Sequence, residues 1–587
     1  MRRIKLTSMG LGTSTVVWPL GQLSFVILLA FGGIITPSRA QSPSVVINEI
    51  MYHVRATEFK EDPSAEFVEL HNVTDRAIDL TGWKFDSGLR ISFREQTLDA
   101  GAYLVIAADL EAFKERHPKV NQVVGPFRGR LSNGGETLTL IDADERTIDS
   151  VSYADSGFWA RKVSGKLKGY DDWAWHAPHD GEGHSLELIK ASFTNEPGLA
   201  WAPSQEPGGT PGQPNSVRAE NVAPLVTSVR HEPIIPTSSQ QVQVFASVID
   251  ESANKLTASL RYRNDGERAF KSVPMALTED GEWLGTLPAT KDLSVVQFHI
   301  RFTDTDGAVR DFPELAKTQV KVPRRRTSNA DRQAVCLYQV DDSFDETAAR
   351  QPGAKPIYRL IAPKDEVQLI RDLVDISGSN RAYDSHIHAT FISMDGLDTQ
   401  LRYQVSARIR GHGSRSNFPP GLRVSFPSDD PWKGVTDINL NSQQTQSQAL
   451  GAAIHQLAGF ASAKSTPIHL RINGEDWTNE GLPQYGCYVH NEVFDSTYLE
   501  KHFPGESDGN FYRLVGNANL DDRGTSVSRY RTLYNKRNNA SKDDYSDIIK
   551  LVQTLDQGNP GDDYLDQVRE VIDLEQWARY IAMDALL

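Results

Sequence analysis

The sequence predicts a multidomain protein with two β-sandwich, immunoglobulin-like domains followed by one α+β domain. Its 587 residues exceed the size of a single domain and suggest three or four units. Short alternating strands separated by turn residues fill the first half of the chain. Amphipathic helical spacing joins the strands only after about Asp331, which indicates a mixed domain there.

The composition is that of a soluble globular protein, with 39% hydrophobic and 24% charged residues. A formal net charge of −15 argues against a general nucleic-acid-binding protein, because phosphate contacts need a basic surface. The only cysteines, Cys336 and Cys487, exclude a disulfide-stapled mini-domain and a metal site built on Cys pairs. Both a disulfide and two buried thiols stay open, since a sequence does not give their separation.

Residues 1–40 have the three parts of an export signal. Arg2 and Arg3 make the start basic, residues 25–35 are apolar, and residues 38–40 offer a small-x-small cleavage site. The alternative is an uncleaved membrane anchor, for which the apolar run is short. We expect an exported protein, secreted, periplasmic or at the cell surface, with no transmembrane segment after cleavage.

The first β-sandwich is predicted at residues 41–158. Leu138 and Leu140 alternate with threonines, and glycines separate the runs at turn-like spacing. Glu69 lies between two apolar residues in the same alternating way. This pattern predicts sheets with one buried and one solvated face.

Five short motifs in this region occur in a fixed order. They are INEI at 47–50, EFVELHN at 66–72, LTGW at 80–83, LDAG at 98–101 and GETL at 135–138. Together they resemble the lamin-tail domain (LTD) as it occurs in bacterial surface proteins. The resemblance implies an Ig-like sandwich with a binding or architectural role, and it transfers no catalytic residue.

Residues 159–221 predict an irregular extension and linker. Its four tryptophans are Trp159, Trp173, Trp175 and Trp201. They could bind a glycan by stacking on sugar rings, but we favour a satellite core that covers the sandwich. The Pro/Gly run at 208–215 predicts a flexible linker.

Residues 222–323 predict the second β-sandwich, of Ig or fibronectin type. Val242, Val244, Ala246 and Val248 recur at every second position, and no helical period interrupts the region. The DTDG sequence at 304–307 predicts a hairpin turn, because it lacks the later ligands of a calcium loop. The basic run at 323–326 predicts a solvated linker.

Residues 324–587 predict the α+β domain. Leu422 and Val424 share one face of a strand and leave Arg423 on the other face. Apolar residues recur at helical spacing at 450–457 and again at 545–555.

A metal site is a minor alternative in this domain. Asp384, His386 and His388 alternate along one predicted strand, so they could supply two or three ligands. No third histidine is near in the sequence, and we do not favour the site.

Six motifs of this domain are RIRGHGSR at 408–415, INLN at 438–441, NG at 473–474, GCYVHNE at 486–492, SDGNFY at 507–512 and YNK at 534–536. Their order and spacing resemble the CotH (spore-coat protein H) family of atypical, kinase-like proteins. The resemblance implies a kinase-like fold that uses ATP and a divalent metal, Mg²⁺ or Mn²⁺. It places the catalytic residues beyond Leu587, so we expect a domain that is incomplete at its C-terminus and inactive by itself.

The Gly-rich turn supplies the first nucleotide-binding candidates. Gly411, Gly413 and Ser414 follow a strand and could bring backbone amides against phosphate, with Arg410 adding positive charge. An ordinary hairpin turn and a solvated strand face are the alternatives. Family members commonly carry a Pro-Lys-Lys-type stretch after this turn, where the present chain has Arg423. Because Arg and Lys are not interchangeable, this departure from the family pattern counts against kinase activity.

The other two nucleotide-binding candidates lie farther along the chain. Glu492 matches an acidic position of the family and could pair with a basic residue near the phosphates, or could cap a helix. Lys536 could face the nucleotide, although a surface lysine is the favoured interpretation.

Two functions from different classes follow. The first is an exported CotH-like atypical protein kinase that phosphorylates hydroxyl groups of surface proteins. The alternative is a non-catalytic surface or adhesion protein, in which a pseudokinase-like scaffold accompanies two β-sandwich binding modules.

Overall fold

The computed structural model describes most of the chain after residue 42. The described stretches are 43–57, 60–252, 255–315, 332–376, 384–396, 398–411, 414–479, 485–516, 518–557 and 561–585. The predicted signal peptide, the basic run at 323–326 and Leu587 lie outside them. Within these stretches, no helix combines the length and the apolar character needed to cross a bilayer.

The first unit is mainly β-structure. Its elements are β1 (Val45–Met51), β2 (Phe67–Asn72), β3 (Ile78–Asp79), β4 (Lys84–Ser87), β5 (Thr97–Leu98), β6 (Tyr103–Ala107), α1 (Leu110–Arg116), β7 (Val123–Val124), β8 (Gly135–Ile141), β9 (Thr147–Ala154), β10 (Arg161–Leu167), β11 (Tyr170–His176), β12 (Leu186–Leu188) and β13 (Trp201–Pro203). One sheet has the order β13-β12-β1-β2-β6-β7, and another has the order β4-β8-β9. Two further pairs are β3-β5 and the β10-β11 hairpin.

The predicted alternation is confirmed in β8, where Leu138 and Leu140 are fully buried and Thr137 is exposed. It is wrong for β2, where Glu69 is as fully buried as its apolar neighbours. The reason is that a later segment of the chain covers the second face of this sheet.

Three buried glutamates hold that covering segment. Glu49 on β1 lies opposite Glu69 on β2 and Glu187 on β12. Thr210 donates its backbone N–H to Glu49 at 2.9 Å and its hydroxyl to Glu187 at 2.7 Å. The N–H of Gly212 donates to Glu69. The Pro/Gly run that predicts a flexible linker is therefore hydrogen-bonded to the first unit.

The second unit is β-structure with a sheet of its own. Its strands are β14 (Leu225–Glu232), β15 (Val242–Ile249), β16 (Thr257–Asn264), β17 (Lys271–Leu277), β18 (Trp283–Leu287), β19 (Val295–Thr303), β20 (Val309–Phe312) and β21 (Cys336–Gln339). They follow the order β14-β15-β18-β17-β16-β19-β20, and β21 also pairs with β19. Strand β21 thus joins this sheet, although its residues fall in the range predicted for the third domain.

Sequence patterns of the second unit agree with its structure. Val242, Val244 and Ala246 are buried on β15, as predicted. Asp304 follows β19 and accepts hydrogen bonds from the N–H groups of Asp306 at 2.9 Å and Ala308 at 2.8 Å. The predicted hairpin turn between β19 and β20 is confirmed.

The third region mixes strands and helices. Its elements are α2 (Glu346–Ala349), β22 (Ile357–Ile361), α3 (Lys364–Ile376), β23 (Ile387–Met394), β24 (Thr399–Ile409), β25 (Leu422–Ser425), β26 (Asp437–Asn441), α4 (Thr445–Leu457), β27 (Ser465–Ile472), β28 (Cys487–Asn491), α5 (Ser496–His502), β29 (Tyr512–Leu514), α6 (Ser528–Arg531), β30 (Tyr534–Lys536), α7 (Ser546–Leu555), α8 (Tyr564–Val571) and α9 (Leu574–Asp584). Strands β22 to β28 close into a barrel of order β22-β23-β24-β25-β26-β28-β27, in which β22 and β27 are parallel. Strands β29 and β30 form a separate pair.

The helices predicted from apolar spacing are present as α4 and α7. Val552 and Ile548 of α7 are buried, as such spacing predicts. The stripe on α4 lies at the surface instead, with Leu450 63% and Leu457 89% exposed.

The tryptophans of the extension divide between two cores. Trp159 and Trp201 lie 5.9 Å apart between ring centroids in the core of the first unit, which confirms a satellite core for this pair. Trp173 is buried against the barrel, where its Nε1–H donates to Glu366 at 2.5 Å. Trp175 is half-buried.

Both cysteines are free thiols. Cys336 is buried in β21, and Cys487 is half-buried at the start of β28. The alternative of a disulfide is not realised in the structure.

Candidate functional site

The outer face of β24 and β25 carries a row of arginines. Because side chains alternate along a strand, Ile409 and Leu422 point into the barrel and are buried there. Arg408, Arg410 and Arg423 occupy the positions between the inward-facing residues. The strand register places Arg408 directly opposite Arg423. Two like charges in that arrangement repel each other, so the face needs compensating negative charge.

Carboxylates compensate two of these arginines. The Nε–H of Arg423 donates to Asp437 on the neighbouring strand at 2.8 Å. Arg408 donates to Asp384 at 3.2 Å. Arg415, which follows the Gly-rich turn, is buried and donates to the same Asp384 at 2.9 Å.

Arg410 differs from its neighbours. Within the described residues, its side chain forms no ion pair. Burial, together with nearby positive charges, lowers the pKa of this guanidinium to about 10. Those charges belong to Arg513, Arg423, Arg408 and Arg537. A bound anion would relieve both effects, because it would supply hydrogen-bond acceptors and opposite charge.

Two of these arginines come from the β29–β30 pair. Arg513 lies on β29 opposite Asn535, and Arg537 follows β30 directly. The Nε–H of Arg537 donates to the carbonyl oxygen of Phe494 at 3.1 Å. We refer to Arg408, Arg410, Arg423, Arg513 and Arg537 as the arginine cluster.

Lys536 lies on the opposite face of this pair of strands. Its Nζ donates to Asn510 at 2.8 Å and lies 5.6 Å and 5.2 Å from the ring centroids of Tyr512 and Tyr545. The side chain is only 6% exposed, so the favoured prediction of a surface lysine is wrong. The strand period carries Lys536 away from the arginine cluster, because Arg537 takes the other face.

The Gly-rich turn begins at the end of β24, next to Arg410. Gly411 has φ 108°, and a Cβ there would come within 2.5 Å of Ser414 Oγ. The turn therefore requires glycine and keeps the backbone open for close approach. The structure thus brings Arg410, Gly411 and Ser414 together, while Gly413 lies outside the described residues.

Glu492 is engaged away from the arginine cluster. It accepts hydrogen bonds from the backbone N–H of Lys464 at 2.6 Å and from His502 at 3.0 Å, and it pairs with Lys501. Burial alone would raise the pKa of Glu492, but these donors outweigh burial and the pKa is lowered. Glu492 does not cap α5, because Asp495 does so by accepting from Tyr498 N–H.

The three residues of the minor metal alternative do not converge. His386 contacts Asp172 at 3.3 Å, and His388 contacts the carbonyl oxygen of Val335 at 2.6 Å. Asp384 belongs to the arginine pairs described above. In the described parts of the chain, no group of three His, Cys, Asp or Glu residues is arranged to hold a metal ion.

The strand that carries Arg408 and Arg410 is also held from outside the barrel. Lys162, on the β10–β11 hairpin, is buried and donates from Nζ to the carbonyl oxygens of Gln404 and Val405 on β24. The neighbouring strand β11 presents Asp172, which accepts from the N–H of His386 at 2.7 Å. The β10–β11 hairpin of the first unit therefore forms part of the support for β24.

The sequence patterns identify Arg410 and Arg423 but miss Arg513 and Arg537. Both missed residues directly follow a motif position, since Arg513 follows Tyr512 and Arg537 follows Lys536. A local signal existed in those adjacent basic residues. Their proximity to β24 was not visible, because about a hundred residues separate the strands.

Comparison with known proteins assigns two parts of the chain. Residues 38–155 match the model of the Lamin Tail Domain, and residues 407–587 match the model of the CotH kinase protein family. No curated protein matches the chain. The arginine cluster lies within the second match. The protein therefore carries a lamin-tail domain followed by a CotH kinase domain, in the order that its sequence motifs predict.

Proposed function

We propose that the arginine cluster binds the phosphate groups of ATP and that the protein is an exported, atypical protein kinase. The observation that carries the proposal is Arg410, a largely buried arginine that lacks an acidic partner within the described residues and is surrounded by positive charge. Phosphoryl-transfer sites need such cations to offset the charge of the phosphates. The CotH family match supports a kinase-like protein.

The residues have separate roles in this proposal. Arg410 and Arg513 contact phosphate oxygens, and Arg537 adds charge from the same side. Gly411 lets the backbone of the turn approach the phosphates without a side chain in the way. Asp437 orients Arg423 through their 2.8 Å hydrogen bond.

ATP would supply the γ-phosphoryl group for a hydroxyl of a surface protein. The barrel would then form the nucleotide side of a two-lobed, kinase-like fold. A Mg²⁺ or Mn²⁺ ion would accompany the nucleotide, and we assign no ligand for it among the described residues.

The second candidate is a non-catalytic scaffold at the cell surface. Two observations favour it. The turn before Arg423 lacks the lysines that are common in the family. Glu492 pairs with Lys501 and His502 of α5 instead of an arginine of the cluster.

Nucleotide binding by the full chain distinguishes the two candidates. Isothermal titration with ATP and MgCl₂ should show binding, and Arg410→Gln should weaken it at least about tenfold, which is about 1.4 kcal/mol. Arg569→Gln is the matched control, because Arg569 is exposed on α8 and pairs with the nearby, exposed Asp566. Absence of binding at millimolar ATP by the folded protein would favour the scaffold. Equal ATP affinities of the two variants would show that the arginine cluster is not part of the ATP-binding site.

A further inference from the structure

The first unit contains a second basic site, far along the chain from the arginine cluster. A groove of about 750 Å³ is lined by Arg90, Arg94 and Arg128, with Ile91 and Pro126 between them. All three arginines are exposed. The groove is built from the loop after β4 and the segment after β7, so it belongs to the lamin-tail domain.

Two of the arginines are held side by side. The N–H of Arg90 donates to the carbonyl oxygen of Arg128 at 2.9 Å, and the N–H of Arg128 donates back to Arg90 at 2.9 Å. Residues paired by two such bonds direct their side chains to the same face. Like charges directly opposite each other are destabilising, so two paired arginines are unusual on a surface that binds nothing.

No carboxylate neutralises this group within the described residues. Other arginines of the same unit do have such partners: Arg116 pairs with Asp62, and Arg130 pairs with Glu61. Glu95 is the one acidic residue among those that line the groove in the described structure. Three arginines that have no carboxylate partner in the described part of the chain therefore gather on a protein whose net charge is −15.

The rest of the lining indicates the kind of anion. Ile91 and Pro126 provide an apolar floor, whereas Phe85 and Phe93 are each only 4% exposed and offer no ring face for a neutral sugar. Charge must therefore contribute most of the recognition. Arginine is suited to this task, because its planar guanidinium can bind a carboxylate through two parallel hydrogen bonds.

We propose that this groove binds a linear anionic polysaccharide through its carboxylate groups. The spaced arginines contact successive carboxylates, and the apolar floor contacts the C–H faces of the sugar rings between them. Single-stranded nucleic acid fits less well, because Phe85 and Phe93, the aromatic residues of the described lining, are buried and offer no ring on which bases could stack. The proposal is independent of the kinase function, since it uses no residue of the CotH domain.

The test uses the full chain and a hexamer of galacturonic acid as the probe, in isothermal titrations at 50 mM and 200 mM salt. The groove variant Arg90→Ser/Arg94→Ser/Arg128→Ser should lose at least about tenfold in affinity. The matched control Arg76→Ser/Lys114→Ser/Lys119→Ser removes the same charge from exposed positions of the same unit outside the groove. It should bind like the unmodified protein.

Three results would overturn the proposal: no binding of the hexamer, equal loss in both variants, or equal binding of the methyl-esterified hexamer. Tighter binding of hexaglutamate or of a single-stranded oligonucleotide would instead assign the groove to an acidic peptide or a nucleic acid. If the triple variant is less folded by circular dichroism, Arg94→Ser alone provides the test, because the Arg94 backbone takes no part in the Arg90–Arg128 pair. It should still weaken binding measurably, and unchanged affinity would overturn the proposal.

Discussion

The ammonium group of Lys162 donates a hydrogen bond of 2.9 Å to the carbonyl oxygen of Val405. Lys162 belongs to the extension after the lamin-tail domain, whereas Val405 lies on β24 of the barrel. The strand that receives this bond continues to Arg408 and ends next to Arg410. An accessory segment therefore supports the strand on which the proposed phosphate site is built.

Replacing this lysine should destabilise the protein. Lys162→Met keeps the length of the side chain but leaves the carbonyl oxygens of Gln404 and Val405 without their donor, at a cost of about 2 kcal/mol. We expect a lower midpoint in urea unfolding. Lys166→Met is the control, because Lys166 lies on the same hairpin but is exposed. Equal midpoints for the two variants would contradict a supporting role for Lys162.

Removing Arg410 should have the opposite effect on stability. Its burial and its repulsion by four other arginines both oppose the folded state when no anion is bound. Arg410→Met should therefore raise the free energy of unfolding, measured in urea, by about 1 kcal/mol and also weaken ATP binding. Functional residues often show this trade between stability and activity. A variant that loses stability and keeps ATP binding would argue against the arginine cluster as a phosphate site.

The Gly-rich turn should tolerate a methyl group poorly. In Gly411→Ala, the residue must keep a φ of 108°, outside the left-handed region open to other residues, and Ser414 Oγ, 2.5 Å from the new Cβ, must rotate away. Gly101 has a φ of 68°, inside the left-handed region, and open space around a Cβ, so Gly101→Ala carries only the backbone cost of about 1–2 kcal/mol. ATP titration should show a loss for the first variant alone. The same small effect from both substitutions would mean that the turn readily rearranges.

Stability of the first unit should fall as the pH rises. Burial raises the pKa of Glu69 from its ordinary 4.5 to about 8. The hydrogen bonds that Glu69 accepts from Gly212 and Asn48 lower its pKa, but by less than burial raises it. Burial also raises the pKa of Glu49, and the charge of Glu69 adds to that rise. A raised folded-state pKa means that the folded protein holds a proton that the unfolded chain releases. This stabilisation is complete below about pH 4.5 and is lost as the pH rises toward 8.

Hydrogen exchange of the Thr210 and Gly212 amides reports the loss of this stabilisation locally. The exchange is measured from pH 5 to pH 8 and corrected for the intrinsic rates. Protection should decline with pH in the unmodified protein and decline less in Glu69→Gln. Glu111→Gln changes an exposed residue of α1 and should behave like the unmodified protein. A pH-independent protection of both amides would contradict the expectation.

Local patterns predicted the parts of this structure that depend on neighbours in sequence. The alternation in β8 and β15, the turn at Asp304 and the helix α7 all follow from short-range periodicity. The same rule assigned Arg423 and Leu422 to opposite faces of β25. Motif order was sufficient to identify both family matches.

Predictions failed where distant segments meet. Glu69 looks like a solvated residue of an amphipathic strand, and only the segment around Gly212, more than a hundred residues later, makes it a buried one. Lys536 looks like a surface lysine until Tyr512 and Tyr545 enclose it. In each case the deciding contact depends on a register between segments, which composition does not encode.

The bound Pro/Gly run changes how the protein would respond to a pulling force. A free coil of this composition between two β units would extend first and absorb the load. Here the run is anchored by Glu49, Glu69 and Glu187 on three adjacent strands. Tension between the units would load several buried hydrogen bonds at once, so the N-terminal half of the protein should act as a stiff mechanical link.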